Sequence, residues 1–232
     1  MSIKRVPMDN NIGIDLNKIS DSVSRKTKLV YLCNPNNPTG KIMDSGELES
    51  FCKNISKRTV VFIDEAYLEY VSDPDYRSML GLVKKGINVI VSRTASKVHG
   101  LAGLRVGYAI TTTELAKKLE PYLTDYLNIV GLRAAIASYQ DQEFQNYSIK
   151  MNDRAKRIVT NFLDEKGIQY LDSHSNFIFF HIGKPITEFQ PAMEKKGVLV
   201  GRPFPPYTDW CRLSMATPDE MGRFIEGFNA LL

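Results

Sequence analysis

Apolar residues gather in short runs separated by amphipathic stretches. Leu29–Cys33 (LVYLC), Val60–Asp64 (VVFID) and Asn88–Ser92 (NVIVS) are rich in β-branched residues and bounded by polar or glycine-containing turns. That pattern predicts buried strands, and Val106–Ile110 (VGYAI) predicts a fourth. Between the first two, Ser45–Lys57 places Leu48, Phe51 and Ile55 on one stripe of a helix. A looser helical pattern covers Tyr76–Lys84. Strand, helix, strand, helix, strand is the order of a parallel α/β sheet. Such sheets gather ligands at the carboxyl ends of their strands.

Beyond Thr113 the period lengthens. Glu114–Leu127 and Gly131–Gly167 read as mostly helical, and Ile149–Leu163 as one extended helix. Shorter strand-like pieces follow at Gln169–Leu171, Asn176–His181, Val198–Val200 and Cys211–Met215. A last helix spans Pro218–Leu232, with Met221, Phe224, Ile225 and Phe228 inward and Pro218 in its first turn. The expected architecture is α/β: a mostly parallel sheet domain over residues 1–150, then a linker helix and a small C-terminal α+β domain over 151–232.

Composition narrows the function classes. The 232 residues are 43% hydrophobic and 24% charged, values of an ordinary globular chain with enough length to bury a core without disulfides. Thirty basic against 26 acidic residues is too slight an excess to argue for nucleic acid. The three cysteines are dispersed and form no C-x-x-C pair, which predicts neither a disulfide frame nor a cysteine zinc site, and a reducing cytoplasm. No apolar run reaches the ~18 residues of a membrane span. The start MSIKRVPMDNN has no signal-peptide core.

Three stretches at predicted strand ends carry candidate chemistry. Asn34-Pro35-Asn36-Asn37-Pro38-Thr39-Gly40 follows LVYLC; two prolines and a glycine hold such a turn stiffly. It can aim an Asn amide at a ligand oxygen, or it can be a self-capping loop. Asp64-Glu65-Ala66-Tyr67 ends VVFID. Acids beside a buried strand need a positive or hydrogen-bonding partner, which a protonated heteroaromatic nitrogen, an ion pair or a helix cap each supplies. Ser92-Arg93-Thr94-Ala95-Ser96-Lys97, with Gly100, Gly103 and Arg105 beyond it, sets hydroxyls and a guanidinium around one lysine. That set suits an anion. A desolvated lysine near other cations can form a Schiff base with an aldehyde, although most lysines are solvated surface charges. GLAGLRVG is not G-x-G-x-x-G, which argues against a dinucleotide fold. An amide, an acid with a tyrosine, and a lysine with hydroxyls and an arginine are together the groups that pyridoxal phosphate requires.

CNPNNPTG, VFIDEAYLEY and SRTASKVHGLAGLRVGY, in that order, resemble the class I/II, fold-type I pyridoxal-phosphate aminotransferases, nearest the histidinol-phosphate aminotransferase branch. The likeness continues through SNFIFF, GVLVGRPF and WCRLSMATPDEM, and so over almost the whole chain. The resemblance implies that Lys97 holds the cofactor aldehyde and shuttles the substrate proton. It implies that Asp64 keeps the pyridine nitrogen protonated, and that Asn37 and Tyr67 bond its phenolic oxygen. Thr94, Ser96 and Arg105 are implied to bind phosphate, and Arg212 the substrate carboxylate. Asn176 and Arg202 lie in motifs on the family's substrate side; their plain alternatives are a strand cap and a surface charge.

The resemblance also implies a departure, since family chains are longer ahead of NPNNPTG. An N-terminal third is expected to be missing, with its phosphate-cradling loop, its ring-stacking aromatic and a tyrosine given to the neighbouring subunit. Ile3–Pro7 is then expected to be an edge strand of an incomplete sheet. The implied function is transamination between an amino acid or histidinol-phosphate-like donor and a 2-oxo acid such as 2-oxoglutarate, by a cytoplasmic homodimer without nucleic-acid or membrane partners. A decarboxylase of the same fold and a shortened, inactive cofactor-binding protein are the alternatives.

Overall fold

The computed structural model describes residues 2–123 and 127–232. They form two compact units: Met1–Asn36 with Ile42–Gln140, and Asn37–Lys41 with Asp141–Leu232.

In the first unit, β1 (Leu29–Cys33), β2 (Val60–Asp64), β3 (Val89–Thr94) and β4 (Gly107–Ile110) make one sheet in the order β1-β2-β3-β4. The first three strands are parallel and β4 is antiparallel to β3. β1 and β2 have the limits that the apolar runs predict; β3 extends two residues further and takes in Thr94. Side chains alternate across a strand, and Val30, Leu32, Val61, Ile63, Val89 and Val91 share the buried face. Against them pack α2 (Ser45–Ile55), through Leu48, Phe51, Cys52 and Ile55, and Leu82 of α3 (Leu80–Lys84). Asp44 caps α2 by accepting from Glu47 N at 2.8 Å, which satisfies a first-turn donor. α1 (Leu16–Ser22) adds Leu16 and Ile19 to this core.

Several expectations change. Residues 3–7 are irregular and pair with no strand among the described residues; β1, the parallel edge of the sheet, pairs there with β2 alone. The helix expected over Glu114–Leu127 is shorter. α4 (Thr113–Leu119) gives way to a 3-10 turn at Glu120–Tyr122 containing Pro121, whose missing N–H cannot continue an α ladder; residues 124–126 lie outside the described residues. Gly131–Gly167 is two helices, α5 (Ile129–Gln140) and α6 (Gln142–Glu165). They part at Asp141, whose carboxylate accepts from Phe144 N at 2.9 Å and starts α6. α6 is continuous through residue 150 and lies wholly in the second unit.

That unit is built on β5 (Phe177–His181) antiparallel to β6 (Trp210–Ser214). One face of the pair carries Ile178, Phe180, Cys211 and Leu213, packed with α6, α7 (Ile186–Glu194) and α8 (Pro218–Asn229). Thr217 and Glu220 form a reciprocal capping box at the start of α8. The other face carries Phe177 and Phe179, with Phe179 against Trp210, Phe204 and Tyr207. Two strand-like runs fall short of strands. Gln169–Leu171 makes one bridge, Tyr170 to Phe180, and Val198–Val200 makes no ladder among the described residues. β propensity alone forms no strand without a partner backbone in register.

Candidate active site

Parallel register brings the carboxyl ends of the first unit's strands level: Cys33 is opposite Asp64, and Asp64 opposite Ser92. Three donors converge on the Asp64 carboxylate. Its Oδ1 accepts from Ser92 Oγ at 3.0 Å and Ala66 N at 3.2 Å, and its Oδ2 accepts from the Tyr31 hydroxyl at 2.7 Å. Desolvation, followed by this bond to Asp64, pushes the Tyr31 phenol well above its ordinary range, so it stays a neutral donor. Glu65, the next residue, points to the opposite side of the strand. It is 1% exposed and accepts from Ser78 Oγ, Met79 N and, at 3.1 Å, Arg93 Nη2. Of the two adjacent acids, one is braced internally and the other serves the sheet end.

Tyr67 is buried, with the Lys97 ammonium 5.0 Å from its ring centroid, a cation–π separation. Lys97 itself is partly buried and sits in a turn closed by Gly100 N to Lys97 O and Leu101 N to Ala95 O. Thr94 Oγ1 lies 2.9 Å from Ser96 Oγ and accepts from Ser96 N at 3.1 Å, so the two hydroxyls are neighbours. Arg105 is exposed in left-handed backbone (φ 56°), with Nη1 donating to Ala102 O at 2.8 Å.

The remaining candidates belong to the second unit. Arg212, on β6, donates from Nη1 to Asn37 Oδ1 at 3.1 Å. Its guanidinium lies 5.0 Å from the Phe177 ring and 5.5 Å from the Phe204 ring. Its Nε is buried and meets no acceptor among the described residues. Arg202 covers Phe204 at 4.2 Å, so two cations share one ring. Asn176 precedes β5, its carbonyl accepting from Met215 N at 2.8 Å. A buried N–H without an acceptor, beside a second guanidinium, suits a planar anion such as a carboxylate.

The aminotransferase class I and II family profile matches residues 1–228. The chain belongs to the class I and II aminotransferases. Histidinol-phosphate aminotransferase 2 of Carboxydothermus hydrogenoformans is 37% identical over 233 residues, covering 99% of this chain and 64% of that protein. A crystal structure from Erwinia carotovora atroseptica, provisionally named a histidinol-phosphate aminotransferase, superposes with a TM-score of 0.95 at 36% identity, covering all of this chain and 68% of that one. The Sinorhizobium meliloti histidinol-phosphate aminotransferase, crystallised with pyridoxal 5′-phosphate, gives 0.86 at 27% identity, covering 98% and 64%. The chain spans about 60% of the length of the curated relatives it matches. Fold-type I architecture is thus that of this chain as well.

Sequence reasoning misses Tyr31 and Ser92 as the partners of Asp64. The signal was available: in parallel strands, a hydroxyl opposite or diagonal to a strand-end acid comes within reach. It also misses that residues 37–41 join the second unit, for which no local signal exists.

Proposed function

We propose that this aminotransferase uses pyridoxal 5′-phosphate to move an amino group from an amino acid or a histidinol-phosphate-like donor to a 2-oxo acid such as 2-oxoglutarate. When bound, the cofactor supplies an aldehyde and an electron-withdrawing pyridinium ring. The residues fit that group: an acceptor-only carboxylate braced by three donors, a hydroxyl pair one strand away, and an amine over a phenol ring. Lys97 Nζ would hold the cofactor through its aldehyde, and it is the base placed to move the proton at the substrate Cα. Asp64 accepts from the ring N–H, with Tyr31 and Ser92 fixing its direction. Tyr67 and Asn37 donate to the phenolic oxygen. Thr94, Ser96 and Arg105 take the phosphate. Arg212 grips the carboxylate of an amino acid or 2-oxo acid substrate, flanked by Arg202 and Asn176.

The observation that carries this reading is the Asp64, Tyr67 and Lys97 set at adjacent strand ends, in a chain matched to the family from residue 1 to 228. The donor class rests on the names of the relatives, several of which are histidinol-phosphate aminotransferases. The protein is proposed to act as a homodimer, as the resemblance implies, and in the cytoplasm, in keeping with three dispersed, buried thiols. Among the described residues no helix is long and apolar enough to cross a membrane.

The test is chemical trapping. Borohydride reduction of the protein mixed with pyridoxal phosphate should leave a pyridoxyl adduct on Lys97, read by peptide mass, and Lys97→Ala should abolish it. An adduct retained at another lysine in that variant overturns the assignment. With an amino acid as donor, release of carbon dioxide in place of an oxo acid would move the reaction to decarboxylation.

A further inference from the structure

One partly buried cation of the second unit has no part in this scheme. Lys156 lies on α6 beside Ala155, in a helix whose buried residues include Val159, Phe162 and Leu163. Its ammonium donates to the Ser173 carbonyl at 2.6 Å. Burial holds its pKa below the usual lysine range, against the opposing pull of Asp153 and Asp172. A methionine or leucine would fill such a position without the desolvation cost of an ammonium, so the cation invites a reason beyond packing.

The acceptor indicates that reason. Ser173 is buried, and its Oγ reaches the Phe177 carbonyl and, at 2.8 Å, Ser175 Oγ. The same Oγ sits so close over Gly40 that a Cβ there would overlap it, and Gly40 has φ +73°, a conformation open chiefly to glycine. His174 N donates to Gly40 O at 2.8 Å. The Ser173–His174 dipeptide therefore grips one end of the 37–41 turn, while Arg212 bonds Asn37 at the other.

We propose that Lys156 is a positioning residue: its ammonium pins the Ser173 carbonyl, the pinned Ser173–His174 dipeptide clamps Gly40, and the clamp fixes the direction in which the turn presents Asn37. The importance of that direction rests on the functional reading above; the clamp itself does not. A charge-assisted bond to a buried carbonyl is worth enough that losing it opens the clamped amide by about tenfold.

The experiment is residue-resolved amide hydrogen exchange on the full chain without cofactor, for Lys156→Met and Lys156→Arg. In Lys156→Met the His174 amide should exchange about tenfold faster, while amides of the β5–β6 ladder keep their rates. Lys156→Arg, which keeps a cationic donor, should restore protection. Lys156→Gln, which removes the charge and keeps a neutral donor, should give a smaller loss at the same amide and serves if the methionine variant does not fold. Unchanged exchange at His174, or equal acceleration in the ladder, overturns the proposal by reducing Lys156 to a general stabilising residue. No cofactor enters this measurement, so its failure is separate from a failure of trapping at Lys97.

Discussion

The two sheets of this protein treat their faces differently. In the four-stranded sheet one face is packed under α2 and α3, while the other carries Leu29 and Tyr31 at 46% and 57% exposure. In the two-stranded sheet Phe177, Ile178, Phe179 and Phe180 are all essentially buried, on both faces. Leu29 and Tyr31 are thereby left out of the packing, while Cys33 and Ile90 on the same face stay buried. At the carboxyl end of that face stand Asp64, Ser92 and Thr94, whose polar groups would be costly in a closed core. The second sheet gains stability from both faces and presents its chemistry only where Arg212 emerges against Phe177.

Three measurements test whether the two faces differ in this way. Phe180→Ala should cost about 3–5 kcal/mol, since the ring is fully buried between Phe224 and Phe228. Leu29→Ala on the open face should cost below about 1 kcal/mol. Urea unfolding of the two variants reads the difference, and equal losses would mean that the open face is packed in solution. Next in size, Arg93→Met leaves the Glu65 carboxylate without its cation. The loss should be about 3 kcal/mol, the lower end for a broken buried pair because Arg93 is partly accessible, and Glu65→Gln in the same background should recover part of it.

The smallest effect is a pH slope from His99. Its ring is buried, with Nδ1 3.0 Å from Ser138 Oγ, 4.1 Å between its centroid and that of Tyr139, and Nε2 without a partner among the described residues. Burial lowers its pKa below 6.5. The unfolded chain therefore binds the proton first as pH falls, and stability present above 6.5 is lost below it. His99→Leu should flatten this part of the curve of Tm against pH between 5 and 7. An unchanged slope would assign it to other groups.

The strand limits of β1 and β2 and the buried stripe of α2 are legible in the sequence because they follow from nearest-neighbour sterics and a repeat of 2 or 3.6 residues. The family motifs are legible for a similar reason: they are contiguous. Pairing is different. Val198–Val200 has the letters of a strand, yet only Gly201 N, just beyond it, reaches Arg212 O. Asp64 and Glu65 look alike in sequence, and only the neighbouring strands direct one to Tyr31 and the other to Arg93.

By itself the sequence determined which segments become strands and helices and which chemical groups stand at the strand ends, because both are fixed by residues adjacent along the chain. Tertiary structure decided that the turn bearing Asn37 folds with a unit more than a hundred residues downstream, bonded to Arg212 and set against Ser173. Such contacts depend on the summed packing of distant segments, which no local period encodes.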